Sequence, residues 1–192
     1  MNTKDILDKF VSNVIIYASY ISIILIWYSF FYNFANDIDF LLFYLPFGII
    51  VLAFLFFGNK IIFGMLLSHI TLYFTFKNYD LDLPFYNYFT LSLYQLICMP
   101  ITLLALHKFN ITVGAASNFK LDTTNIYHVL LITFLTVIVL GTLVIFTSIL
   151  YEIQIDILKF IIGNFFGGAI LIISMKFIVN LPTIFKNFIK SS

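Results

Sequence analysis

The sequence predicts an all-α fold, a polytopic transmembrane bundle of about six helices, and three observations carry that expectation. Hydrophobic residues make up 62% of the 192-residue chain and charged residues only 10%, with a mean hydropathy of +1.06. Soluble domains sit near roughly 45–50% apolar and about 25% charged. The apolar residues also gather into long runs separated by short polar punctuation, and the basic residues, all of them lysines, fall between those runs or near their ends. A formal net charge of +1 gives no general attraction for nucleic acid, so the lipid bilayer is the first expected partner.

Six spans follow in order. Val11 to Tyr32 is too long for the apolar core of a signal peptide and ends without a small-residue cleavage site, so it stays as a helix. Ala18 and Ser22 within it are small residues four apart, the spacing that lets another helix approach. Phe40 to Phe57 contains Pro46 and Gly48; a proline there removes the bond to the carbonyl of Leu42 and bends the span. Ile61 to Phe76 is shorter than the ~20 residues that cross hydrocarbon and carries His69. Tyr88 to Leu106 places Ser92, Gln95, Met99 and Thr102 on one face at helical spacing, with Pro100 and the single cysteine, Cys98, beside them.

The loop from His107 to Ile126 is the longest connection, with Asp122, Thr123 or Thr124 placed to cap the fifth helix. Tyr127 to Tyr151 is almost wholly apolar. Ile157 to Val179 holds "GNFFGG", in which Gly163, Gly167 and Gly168 offer a close-packing face and Asn164 a buried amide. The chain therefore divides into a cytoplasmic N-terminus (1–10), a single transmembrane domain (11–179) and a cytoplasmic tail (180–192) that alternates Phe and Lys like a short amphipathic anchor.

Orientation comes from the lysines. Six crossings put Lys4, Lys9, Lys60, Lys108, Lys120, Lys176, Lys186 and Lys190 on one side and Lys77 and Lys159 on the other. By the positive-inside rule both termini are cytoplasmic. Asp37, Asp39, Asp80, Asp82, Glu152 and Asp156 fall outside, and Trp27, Tyr28, Tyr32, Tyr86 and Tyr88 read as an interfacial aromatic belt.

Depth then singles out a set of residues. Pro46, His69, Gln95 and Asn164 each lie six or seven residues from the outer end of their span, about 9 to 11 Å below that boundary at ~1.5 Å per residue. With Gly48 allowing close approach, they are the candidate ligand-binding residues, because each polar group at that depth has to face protein or water. Each also has a structural reading, as a tolerated kink or an interhelical hydrogen bond. Ala18, Ser22, Gly163, Gly167 and Gly168 are the candidate helix-packing positions, within the bundle or in a homo-oligomer. No acidic residue falls within a span, which disfavours an ion-driven pump. No metal-ligand spacing, nucleophile elbow or phosphate loop points to an enzyme, a catalytic residue or a cofactor.

The order of these features resembles a known family. "LPFGIIVLAFLFFG" (45–58), "IIFGMLLSHI" (61–70), "LSLYQLICMPITLLALHKF" (91–109) and "IIGNFFGGAILIISM" (161–175) are together similar to the bacterial membrane-associated sensor domain of the first (MASE) type, over roughly residues 40 to 179. Pro46, Gly48, Gly58, Gly64, Gly163 and Gly167 match its features; Tyr44 stands where that family has tryptophan, and Asn164 where it has aspartate. The resemblance implies a sensory module of the bacterial inner membrane that acts through a histidine kinase or diguanylate cyclase, here a separate partner protein, since about a dozen residues follow the last span. The six-helix architecture is also similar to substrate-binding subunits of energy-coupling-factor vitamin transporters, which implies small-molecule capture and docking on an ATPase complex. A structural or assembly role is the third expectation.

Overall fold

The computed structural model describes residues 3–34, 44–76, 85–114, 120–151 and 156–191. Among them are six α-helices, α1 (Thr3–Phe34), α2 (Pro46–Phe57), α3 (Ile62–Phe76), α4 (Phe85–Lys108), α5 (Ile126–Tyr151) and α6 (Ile157–Ser191). A 3-10 turn, Gly58–Ile61, joins α2 to α3. Between α4 and α5, β1 (Val113–Gly114) and β2 (Leu121–Asp122) form a two-residue parallel pair, Val113 opposite Leu121. Five helical stretches are long and apolar enough to cross a membrane: Asp5–Ser29, Pro46–Thr75, Tyr88–Lys108, Ile126–Ile149 and Ile157–Ile178. That is the pattern of a multi-pass membrane protein.

The second of these stretches is not a straight rod. Gly58 adopts φ 62° and ψ −152°, a region open to glycine and closed to residues with a Cβ, and the 3-10 turn follows. On α1, the Tyr20 hydroxyl lies 3.3 Å from that of Tyr44 and the Tyr20 ring 4.9 Å from that of His69. A straight helix would hold Tyr44 and His69 about 37 Å apart, so α2 and α3 fold back into a hairpin along α1. Asn13 fastens the turn: its Nδ2 donates to the Lys60 carbonyl and its Oδ1 accepts the Gly64 N–H, at 2.7 and 2.6 Å.

Contacts fix the directions of the helices. Asn13 meets Gly64 and Tyr17 meets Thr71, so α1 and α3 run parallel; Tyr94 meets Thr147 and Thr136 meets Met99, so α4 and α5 are antiparallel. Phe134 stacks edge-on with Phe165 while Gly141 faces Ile161, which makes α5 and α6 antiparallel. Lys9, Lys60, Lys108, Lys120 and Lys176 consequently gather toward one end of the bundle, the end that holds the start of α1 and the α2–α3 turn.

Several sequence-based boundaries are corrected. The second helix starts at Pro46, in its first turn, and not at Phe40; residues 40–43, with Leu42, lie outside the described residues. A proline at that position gives up an N–H that has no intrahelical partner anyway, so Pro46 initiates α2 instead of kinking it. At 12 residues, about 18 Å, α2 is too short to cross ~30 Å of hydrocarbon unaided. The fourth helix begins at Phe85, three residues before the apolar stretch Tyr88–Lys108 that contains Gln95. Asn125 caps α5, its Oδ1 accepting the Tyr127 N–H. Asp122 instead accepts the Thr124 N–H, and its own N–H donates to His128 Nδ1. Residues 180–191 continue α6 as helix; their side chains, those of Tyr32 and Tyr86, and residues Asp37, Asp39, Lys77, Asp80, Asp82 and Glu152 lie outside the described set.

Candidate functional site

A buried polar and aromatic cluster forms where α1, α3 and α4 converge on the start of α2. Tyr44, just before Pro46, is its centre. Its N–H donates to the carbonyl of Gly163 on α6 at 3.0 Å, its ring packs edge-on against Trp27 at 5.3 Å, and its hydroxyl meets that of Tyr20 and faces Gln95. His69, 2% exposed, stands with its ring 4.9 Å from Tyr20 and 6.4 Å from Tyr88. Tyr88 in turn packs 5.4 Å from Tyr73, and its carbonyl accepts the Ser92 hydroxyl.

Two buried polar atoms have no hydrogen-bond partner among the described residues: His69 Nε2 and Asn164 Oδ1. The Asn164 amide donates its Nδ2 to the Phe160 carbonyl, which leaves the oxygen free. Five buried hydroxyls are satisfied locally: Ser68, Ser92, Thr102, Thr133 and Thr136 each donate to the carbonyl four residues back. An unmatched buried polar atom costs about 1–3 kcal/mol, so both atoms stand out from the other buried polar side chains among the described residues.

The five candidate ligand residues separate in space. His69 and Gln95 enter the cluster directly. Asn164 follows Gly163, whose carbonyl holds Tyr44, and Pro46 comes two residues after Tyr44. Gly48 does not join them: a Cβ there would lie 2.8 Å from the Gly168 carbonyl oxygen and 2.9 Å from Leu171, so Gly48 belongs to the crossing of α2 and α6. Gly167 packs on the Tyr44–Leu45 backbone, where a Cβ would sit 2.6 Å from the Leu45 nitrogen, and Gly168 faces Phe47 and Thr133. Ala18 and Ser22 are exposed. They line an apolar groove of about 490 Å³ between α1, α2 and α6, with Ser19, Ile49, Ala53 and Leu171.

The tyrosines escaped the sequence reading. Trp27, 6% exposed, and Tyr88, which the sequence places in an interfacial belt, both pack within the cluster. One signal pointed inward: Tyr20 and Trp27 share a face with Ile16 and Ile24 at helical spacing, and all four are buried. The stripe of Ser92, Gln95, Met99 and Thr102 is buried along its length. Among the described residues no group of His, Cys, Asp and Glu could hold a metal ion.

Comparisons with protein-family models, with curated proteins and with solved structures return no match.

Proposed function

We propose that this chain is an integral membrane module that binds a small, uncharged molecule in the cluster around Tyr44 and acts through a separate protein. The observation that carries this reading is the buried, unpartnered Nε2 of His69 among the hydroxyls of Tyr20, Tyr44 and Tyr88 and the amide of Gln95. These groups offer neutral hydrogen bonds and ring surfaces and carry no carboxylate or ammonium, which suits a molecule with a flat apolar face and a polar edge. The chain crosses the membrane six times, α2 and α3 forming a short hairpin. The lysine-rich end faces the cytoplasm of a bacterial inner membrane, so the cluster is reached from the outer side. A sensory role coupled to a kinase or cyclase accords with the family resemblance. The exposed Ala18 and Ser22 favour a second reading, a substrate-binding subunit that docks on a transporter ATPase complex.

The test is native mass spectrometry of protein extracted with its host lipids, beside the His69→Ala/Gln95→Ala variant. A small-molecule adduct carried by the parent and lost from a folded variant is the expected result, and a co-purified kinase or ATPase chooses between the two readings. Identical spectra from parent and folded variant would remove the binding site and leave the cluster as interhelical glue.

A further inference from the structure

Asn164 sits on a different helix from His69, yet it is built toward the same interior. On α6, Gly163 and Gly167 back onto Tyr44 and Leu45 of the chain entering α2, and Leu171 onto Gly48, while Ile161 and Phe165 meet Gly141 and Phe134 of α5. At about 100° per residue, Asn164 falls between these two faces. Its side chain therefore enters the wedge between α2 and α5, where α4 packs against both. The buried stripe of α4 closes that wedge: Met99 touches Thr136, and Gln95 faces the Tyr44 hydroxyl. Asn164 and Gln95 thus come to Tyr44 from two sides of one wedge.

The amide has a single orientation. Its Nδ2 lies 2.8 Å from the Phe160 carbonyl, which can only accept, so the NH2 end must face that carbonyl and Oδ1 must face away. The oxygen, on a side chain 2% exposed, has no partner among the described residues. Three donors of the surrounding elements are already committed: the Tyr44 N–H to Gly163, the Thr133 hydroxyl to Val129 and the Thr136 hydroxyl to Ile132. An amide oxygen accepts and cannot donate. Whatever satisfies it has to bring its own N–H or O–H.

We infer that Asn164 is the specificity-determining residue of the site around Tyr44, accepting a hydrogen bond from an N–H or O–H of the bound molecule. The assignment rests on that cluster being a binding site. It narrows the occupant from any small uncharged molecule to a neutral donor: a ring N–H, a primary or secondary amide, a phenol or an alcohol. Molecules whose polar edge only accepts, such as ketones, oxidised quinones and ethers, leave the oxygen unmatched and are selected against. A cationic donor is selected against as well, since the cluster carries no carboxylate to balance a buried charge. His69 Nε2 sets no such rule, because a neutral imidazole nitrogen donates or accepts according to its tautomer. The choice falls to Asn164.

The test is native mass spectrometry of protein extracted with its host lipids, comparing the parent, Asn164→Leu and the His69→Ala/Gln95→Ala variant. Leucine nearly keeps the volume of asparagine and removes the oxygen, and a cooperative unfolding transition in detergent shows that the variant is folded. The expected result is an adduct whose occupancy falls about tenfold or more in Asn164→Leu, the worth of one hydrogen bond. Released from the parent into heavy water, the same adduct should gain mass by exchange at an N–H or O–H. That second measurement uses the parent alone and does not depend on how the variant folds. An adduct held equally by the parent and Asn164→Leu but lost from the His69→Ala/Gln95→Ala variant, or a released molecule with no exchangeable hydrogen, would overturn the role of Asn164 and leave the binding site standing, with water meeting the oxygen. No adduct in the parent, or one held alike by all three proteins, would overturn both.

Discussion

Gly163 and Gly167 in α6 and Ala18 and Ser22 in α1 are both pairs of small residues four apart, and they do opposite work. Gly163 and Gly167 lie under the start of α2, close enough that the Gly163 carbonyl holds the Tyr44 N–H and a Cβ on Gly167 would run into the Tyr44–Leu45 backbone. Ala18 and Ser22 have the same spacing, but they face outward into a groove. Spacing makes close approach possible, whereas burial decides whether the partner is already present. Bulk added at the first site displaces the fold's own backbone; at the second it meets open space.

The largest effect that tests this comparison is at the glycine crossing. Gly167→Leu should destabilise the protein by more than about 3 kcal/mol through overpacking, whereas Ala18→Leu should stay within about 0.5 kcal/mol. Reversible unfolding in detergent measures both, and equal midpoints for the two variants would break the comparison. Asn13→Ala comes next. It removes two hydrogen bonds that hold the α2–α3 turn on α1, at a cost of about 2 kcal/mol, and hydrogen exchange at Gly64 should rise with it; an unchanged Gly64 amide would mean that the turn holds itself.

Tyr20→Phe should cost about 1 kcal/mol, the worth of one hydroxyl contact, and should weaken any bound adduct more than it weakens the fold. A loss of stability with no change in the adduct would restrict that hydroxyl to packing. The smallest effect lies outside the membrane. The Thr124 backbone N–H and hydroxyl beside Asp122 hold its carboxyl below the usual carboxylate range. Its contribution to the loop is therefore complete above the unfolded value of about 3.9 and is lost as pH falls through the lowered folded value. Exchange of the Thr124 amide, followed against pH, should accelerate relative to Asn125 only on that acid side, and Asp122→Asn should abolish the dependence.

Much of the architecture was legible in the chain because hydrocarbon demands long apolar helices, and the sequence meets that demand in blocks. His69, Gln95 and Asn164 were legible for a related reason: polar groups are rare within such blocks and costly there. The start of α2 was not. Hydropathy runs smoothly through Leu41 to Ile50 and cannot register that a proline begins a helix instead of bending one. Tyr44 was hidden for a similar reason, since tyrosine suits an interface, a core or a hydrogen-bonded cluster equally well.

By itself, the sequence determined that the chain is helical and apolar enough for a membrane, where its polar residues stand along each span, and which end gathers the lysines, because all three follow from local chemistry summed along the chain. Only the tertiary structure decided that Gly58 turns α2 back along α1, that Tyr44 joins four helices, and that one small-residue face is covered while the other is open. Those depend on which surfaces meet, and in an apolar chain many faces carry nearly the same hydrophobic character, so steric fit and a few hydrogen bonds make the choice.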